Sequence, residues 1–376
     1  MLNRAPTPRR TPITTARLTP NWFAAVMGTG IVATSAAGLP VQVPGLRAAA
    51  TAVWLVAATL LVVLVVATAQ HWTHHRAAAR RHHHDPVLAH FYGAPPMALM
   101  TVGAGALVVG PAVVGPAAAL AAGWTLWTLG TVLGLASALV VPALRRDRLT
   151  PDERAFAGRL MPVVPPMVSA ATGALLLPRV PAGPGRAAFA VTLAALFVVA
   201  LVGSSLLLPA IGAGLRRSGP GPAVLVPTLW IVLGPLGQST TAANALGGEA
   251  DLVTGRWARA LEVAGVAYGL PVMAFALAWA GLALTLTLRT ARTGLPFALT
   301  WWSFTFPVGT CVTGLSALAH RTGSGALAAG AVVGFVVLVG AWATVAARTL
   351  HGAFVTRTLL APLPVAAPAD AGTLGR

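Results

Sequence analysis

Apolar runs long enough to cross a lipid bilayer recur along the chain, separated by short polar segments. The hydrocarbon core of a bilayer is about 30 Å thick, so a spanning helix needs about 20 apolar residues. Ten runs meet this length, near 20–40, 49–70, 88–110, 116–142, 159–177, 187–212, 223–246, 260–288, 297–318 and 326–347. The pattern predicts an all-α polytopic membrane protein with a ten-helix transmembrane domain over 20–347.

The odd-numbered runs differ from the even-numbered ones in composition. The second and tenth runs are almost pure Ala, Val and Leu, whereas the odd-numbered runs carry Gly and Pro near their middle. These odd-run motifs are MGTG (27–30), YGAPPM (92–97), MPVVPPM (161–167), LGPLGQST (233–240) and FPVGT (306–310). Because Pro95, Pro165, Pro235 and Pro307 lie 70, 70 and 72 residues apart, we predict five tandem helical hairpins, each with one interrupted and one smooth helix.

Interrupted helices constrain the arrangement, because irregular backbone at membrane depth is tolerated only where protein buries it or water reaches it. We therefore expect an inner ring of five odd-numbered kinked helices around a central pore, and an outer ring of five even-numbered helices. In the alternative, the Gly and Pro sites are packing kinks at which helices approach one another closely. Near-constant proline spacing in alternate runs favours the pore.

Composition and charge support a membrane protein and give its orientation. Of 376 residues, 56% are hydrophobic and only 9% are charged, whereas soluble domains carry about 25% charged residues. The net charge of +17 comes from arginines in short clusters between runs, which make no continuous basic face for nucleic acid. Nineteen arginines fall in the tails and alternate loops and six in the opposite loops. The positive-inside rule then predicts that both termini, the disordered tail 1–19 and the tail 348–376, are cytoplasmic.

The chemistry of the runs favours an anion as the transported species. All eight acidic residues lie in loops, in tails or at the rim of a run, which argues against a proton relay and against a carboxylate-lined cation pore. Interrupted helices present the positive ends of helix dipoles, although a proline also frees a carbonyl that repels anions. Hydroxyl and amide donors could replace part of an anion's hydration shell, namely Thr29, Thr101, Gln238, Ser239, Thr240, Thr305 and Thr310.

One aromatic side chain is a candidate gate. On a helical wheel Trp302, Phe306, Gly309 and Thr313 share a face, so the Phe306 ring could close a pore sterically; alternatively it is ordinary packing. The full set of expected pore-lining or substrate residues is Gly28, Thr29, Gly30, Pro95, Thr101, Pro165, Pro235, Gln238, Thr240, Trp302, Thr305, Pro307, Gly309 and Thr310.

Two motifs, NWFAAVMGTGIVA (21–33) and WWSFTFP (301–307), resemble those of the tellurite-resistance/dicarboxylate transporter family, and the first looks closest to its malate and sulfite branch. The family also includes tellurite-resistance channels and plant slow anion channels. The resemblance implies five hairpins around a pore, a homotrimer in the plasma membrane, and an occluding phenylalanine that corresponds to Phe306. It implies transport of C4-dicarboxylates such as malate or of sulfite- or tellurite-type oxyanions; the alternative is a passive chloride or nitrate channel.

A metalloenzyme is the main competing class. The segment HWTHHRAAARRHHH (71–84) is rich in histidine, a common zinc ligand. It lacks cysteine, is followed by a single carboxylate at Asp85, and carries arginines that would repel a cation. Acyl or phosphoryl transfer needs a nucleophile with a base in reach, and no histidine lies at mid-depth in a run. We therefore expect no catalytic residue, metal or cofactor, and as partners only the small anion, the bilayer and copies of the chain.

Overall fold

The computed structural model describes residues 15–145 and 156–360, without the side chain of Arg145. The predictions for the first 14 residues and for 361–376, which make up most of both tails, lie outside the described residues. The described ranges are helical and contain no strand. Ten α-helices of ten residues or more follow one another within them: α1 Phe23–Ala37, α2 Leu46–His74, α3 Ala94–Val108, α4 Pro116–Arg145, α5 Pro165–Ala174, α6 Pro184–Ser218, α7 Leu233–Gly248, α8 Ala258–Thr293, α9 Phe306–Thr322 and α10 Gly325–Leu350.

The five even-numbered helices are long and expose apolar side chains. They have 26 to 36 residues, and Val62, Leu139, Val191, Leu206 and Val336 on them are each more than 60% exposed. Apolar surface of this extent is the signature of a protein that lipid covers.

Seven helical segments of the described ranges are long and apolar enough to cross a membrane. They are Leu46–His74, Leu88–Val108, Pro116–Leu144, Pro184–Ser218, Ala223–Gly248, Ala258–Thr293 and Gly325–Val355. The chain is thus a multi-pass membrane protein. The first, fifth and ninth predicted runs do not reach this criterion, because their helices are short or rich in small and hydroxyl residues. The count of ten spans stays a prediction.

Each odd-numbered α-helix follows a short 3₁₀ segment. These segments are Pro20–Trp22, Leu88–Gly93, Ala157–Leu160, Ala223–Val232 and Leu299–Phe304. The repeating prolines fall within the first three residues of α3, α5, α7 and α9. Proline is tolerated there because the first N–H groups of a helix have no partner inside it. The predicted interruption is therefore a change from 3₁₀ to α geometry close to each proline, with the turn 161–164 between the two before Pro165.

The helices pack in a simple order. Each odd-numbered helix contacts the even-numbered helix that follows it. In addition, α1 contacts α3, α3 contacts α5, α5 contacts α7, α7 contacts α9, and α9 contacts α1. Glycine permits the closest of these approaches: a Cβ on Gly237 would lie 2.4 Å from the backbone carbonyl carbon of Thr310. The odd-numbered helices consequently form the buried interior of the molecule.

Candidate functional site

The residues just before the four repeating prolines stand at equivalent places in the proline repeat. They are Ala94, Val164, Gly234 and Phe306, so three are small or medium-sized and one is a large aromatic ring. Ala94 and Phe306 begin their α-helices, Val164 directly precedes α5, and Gly234 is the second residue of α7. Phe306 is only 5% exposed although it begins its helix. The equivalence of these four positions can be read from the proline spacing. Sequence reasoning nevertheless selected only Phe306 as a candidate and missed Gly234.

Open space lies beside Gly234, even though this residue is buried. A Cβ added there would meet no heavy atom within 4 Å. One turn further along α7, a Cβ on Gly237 would meet backbone atoms of Thr310 and Cys311 at 2.4 and 2.5 Å. Since protein interiors are normally close-packed, this buried residue is unusual in having room for a side chain at the N-terminal end of α7.

The threonine hydroxyls expected to line a pathway use their donors elsewhere. Thr29 Oγ1 donates to the Ala25 carbonyl at 2.7 Å and accepts from the Trp342 indole on α10 at 3.1 Å. Thr310 Oγ1 lies 2.7 Å from the Pro307 carbonyl and 3.2 Å from that of Leu233 in α7. These hydroxyls therefore tie helices to one another.

Three further threonines show the same behaviour. Thr101, Thr240 and Thr305 donate to carbonyls three or four residues earlier in the chain, at 2.7 to 3.0 Å. Thr101 also packs against Gly30, and Thr305 packs against Gly28, in the space that a side chain on each glycine would need. A hydroxyl whose hydrogen is committed to a carbonyl keeps only lone pairs, so these side chains have no hydrogen to offer an anion in this arrangement.

Gln238 differs from these threonines. Its side chain is 5% exposed, and within the described residues its amide forms no hydrogen bond. The neighbouring Ser239 is fully engaged, since it accepts from the Tyr268 hydroxyl and donates to the Leu236 carbonyl. An amide carries two N–H donors, and those of Gln238 are not committed to another described residue, which makes Gln238 the best-placed donor among the predicted residues.

Two members of the stripe that a helical wheel draws around Phe306 bond to different helices. The Trp302 indole donates to Thr349 on α10 at 3.1 Å, whereas Thr313 shares a 2.8 Å hydrogen bond with Thr241 on α7. The chain before α9 is a 3₁₀ segment with about three residues per turn. The wheel assumed α-helical spacing throughout, and this premise does not hold for Trp302, which lies in the 3₁₀ segment.

No ionisable side chain other than Cys311 lies in the interior of the odd-numbered helices. In the described chain, charge begins at their ends, with His320 and Arg321 in the last turn of α9 and Glu249 just after α7. Arg321 lies 3.4 Å from Glu262. Burial, and secondarily Asp251, raises the pKa of the Glu249 carboxyl above its usual value. The buried interior is thus electrically neutral, with charged groups at its ends.

The histidine-rich segment forms ring stacks. His71 stacks on His82 with centroids 5.3 Å apart, and His83 stacks on Tyr92 at 4.7 Å. In the described part of the chain, no group of three or more His, Cys, Asp or Glu residues is arranged to hold a metal ion. The stacks hold the connection after α2 against the start of α3.

Comparison with known proteins gives a consistent result. The family model described as voltage-dependent anion channel matches residues 17–350. An uncharacterized transporter of Methanocaldococcus jannaschii is 26% identical over 304 residues, which cover 78% of this chain and 81% of that protein. A sulfite efflux pump of Arthroderma otae is 25% identical over 345 residues, covering 88% and 90%. A sulfite efflux pump of Trichophyton rubrum is 24% identical over 302 residues, covering 78% and 80%.

Proposed function

The chain belongs to the voltage-dependent anion channel family, and on that basis we propose that it carries small anions through a passage enclosed by its five odd-numbered helices. Membership confirms the family resemblance of the two sequence motifs and supports anion transport. The family consists of channels and transporters rather than enzymes. The observation that carries the passage is the open space beside buried Gly234, at the place equivalent to Phe306.

The proposed architecture has ten spans in five hairpins, with the odd-numbered helices as an inner ring. Two observations support it: the odd-numbered helices contact one another in a closed order, and each pairs with the even-numbered helix after it. The arginine distribution supports cytoplasmic termini and a transmembrane domain over 20–347 between two tails. A homotrimer in the plasma membrane follows from the family resemblance. Labelling of single cysteines placed in alternate loops of intact cells tests the orientation.

Phe306 is the proposed gate. Its ring is the one large side chain among the residues before the repeating prolines, where Ala94, Val164 and Gly234 leave room. A single ring of this size would narrow the passage, because the residues at the equivalent positions of the other helices have smaller side chains. The 5% exposure of Phe306 supports a closed position for the ring.

The substrate follows from the neutral interior and from the relatives. The odd-numbered helices hold no ionised group between their ends. An anion inside the passage therefore loses water and meets few hydrogen-bond donors in return, of which the Gln238 amide is the best placed. Gly28 and Gly30 can line the passage only through backbone, because Thr305 and Thr101 occupy the space where their side chains would stand. Sulfite-type oxyanions are the leading substrate, since two of the compared relatives are sulfite efflux pumps, followed by malate and tellurite. The second candidate is a passive channel for chloride and nitrate.

The test is anion flux into liposomes that contain the purified protein, with sulfite, malate, nitrate and chloride as competing anions. We expect sulfite to pass fastest and Phe306→Ala to raise the flux of every permeant anion. Phe275→Ala is the matched control, because this phenylalanine is 48% exposed on the outer helix α8. The proposal fails if no anion passes, and the gate alone fails if Phe306→Ala and Phe275→Ala behave alike.

A further inference from the structure

A cleft of about 710 Å³ lies between the outer helices α4 and α6, on the surface that faces lipid. Its walls are apolar and open: Leu139, Val202 and Leu206 line it and are 67%, 52% and 73% exposed. At one end it is lined by His90 and Arg159. The cleft is thus an apolar groove with one cationic side chain, Arg159, at a single end.

Its dimensions correspond to one leaflet of a bilayer. The lining residues of α4 run from Leu135 to Ala143, and eight steps along an α-helix cover about 12 Å. Half of a hydrocarbon core of about 30 Å is about 15 Å. The Arg159 end lies near the C-terminal end of α4, beside Pro142 and Ala143.

From this geometry we propose that the cleft binds one anionic phospholipid, with an acyl chain against α4 and α6 and the phosphate at Arg159. Basic pockets between transmembrane helices are suited to anionic lipid headgroups, and arginine matches phosphate oxygens in geometry and charge. His90 lies at the same end, within 5.8 Å of the Phe156 ring between ring centroids. The site lies outside the proposed passage and does not depend on it.

A second cleft provides a contrast within the same molecule. It has a volume of about 490 Å³, lies between α6 and α8 near the opposite ends of the helices, and is also mainly apolar. Its ionisable lining residues are Glu249 and Tyr268, with no cation. A carboxyl repels a phosphate, so charge complementarity selects the cleft at Arg159 for an anionic lipid.

Native mass spectrometry of the protein, equilibrated with equal amounts of phosphatidylglycerol and phosphatidylcholine, tests the proposal. We expect wild-type protein to retain phosphatidylglycerol preferentially. Arg159→Gln should lower that retention roughly fivefold, the effect of one arginine at a membrane surface. Arg159→Lys should keep most of it, and Arg216→Gln is the matched control, because Arg216 is exposed at the end of α6 away from the cleft lining.

A bulky side chain placed inside the cleft distinguishes lipid bound in the cleft from lipid attracted to the protein surface in general. Val202→Trp should lower retention of both lipids, because it occupies the space of the acyl chain. Equal retention by wild type, Arg159→Gln and Val202→Trp would overturn the proposal. Disulfide-linked oligomers of Val202→Cys would overturn it as well, since they would show that a second copy covers the cleft. Thermal melting of each variant identifies loss of lipid that results merely from misfolding.

Discussion

Moving the aromatic ring from one helix to another is the sharpest test of the gate. Gly234 stands where Phe306 stands in its own hairpin, and open space faces it. We expect Phe306→Ala to raise anion flux at least about tenfold, which corresponds to about 1.4 kcal/mol of barrier. Adding Gly234→Phe should return flux to within about threefold of wild type, because the ring then occupies the same passage from α7.

The stability changes expected for these variants follow from the local packing. Replacing glycine inside a helix by alanine stabilises it by about 1 kcal/mol where space allows, so Gly234→Ala should melt at or above the wild-type temperature. Gly237→Ala is the matched control: its Cβ would meet Thr310 backbone at 2.4 Å, and such overpacking costs about 1–3 kcal/mol. Phe306→Ala should cost no more than about 3 kcal/mol, below the usual upper range for a buried phenylalanine, because the space it vacates opens to the passage.

Flux is measured by stopped-flow mixing of proteoliposomes that contain an anion-quenched dye, and melting by intrinsic fluorescence. If the double variant folds normally but conducts as fast as Phe306→Ala, the two positions do not face one passage and the reasoning is refuted. If Gly234→Ala melts at as low a temperature as Gly237→Ala, the folded protein has no open space for a side chain at Gly234.

Three further predictions test other contacts. Gln238→Leu should lower anion flux roughly tenfold at subsaturating concentration, because a hydrogen bond to a charged group contributes about 1.5–3 kcal/mol; unchanged concentration dependence would remove Gln238 from the pathway. Trp342→Phe should lower stability by about 1 kcal/mol by removing the indole–Thr29 hydrogen bond and leave the order of anion permeation unchanged in the flux assay. Burial, and secondarily the charge of His71, lowers the pKa of His82, so the folded state resists protonation and stability should fall as pH drops through about 6.5. Melting curves between pH 7.5 and 5.5 should be flatter for His82→Phe than for wild type, with His320→Gln as control.

The sequence was most informative where a physical requirement acts on many residues at once. Lipid requires long apolar helices, and the repeated prolines mark helix starts because proline fits the first turn. Both features could therefore be read from spacing, as could the family from its two motifs. The spacing of Pro95, Pro165, Pro235 and Pro307 also contained the position of Gly234, but nothing in the sequence indicated that the space beside a buried glycine is empty.

Side-chain direction could not be predicted in the same way. A threonine in a membrane helix can donate to a carbonyl of its own helix or turn outward, and the sequence does not distinguish the two. Thr29 and Thr310 were expected to offer hydrogens to an anion, yet both bind carbonyls and neighbouring helices. The helical wheel also did not apply to Trp302, because the chain changes from 3₁₀ to α geometry between this residue and Phe306.

These engaged hydroxyls change the expected mechanism of selection. With their hydrogens committed, the proposed passage offers an anion few donors and no fixed positive charge between its ends, so dehydration is the main barrier. Such a passage favours anions of low charge over those of high charge, because the cost of removing water rises steeply with charge. No carboxylate or histidine lies within the odd-numbered helices between their ends. Any proton that accompanies transport is then best carried by the substrate, and hydrogen sulfite and hydrogen malate each carry a single negative charge.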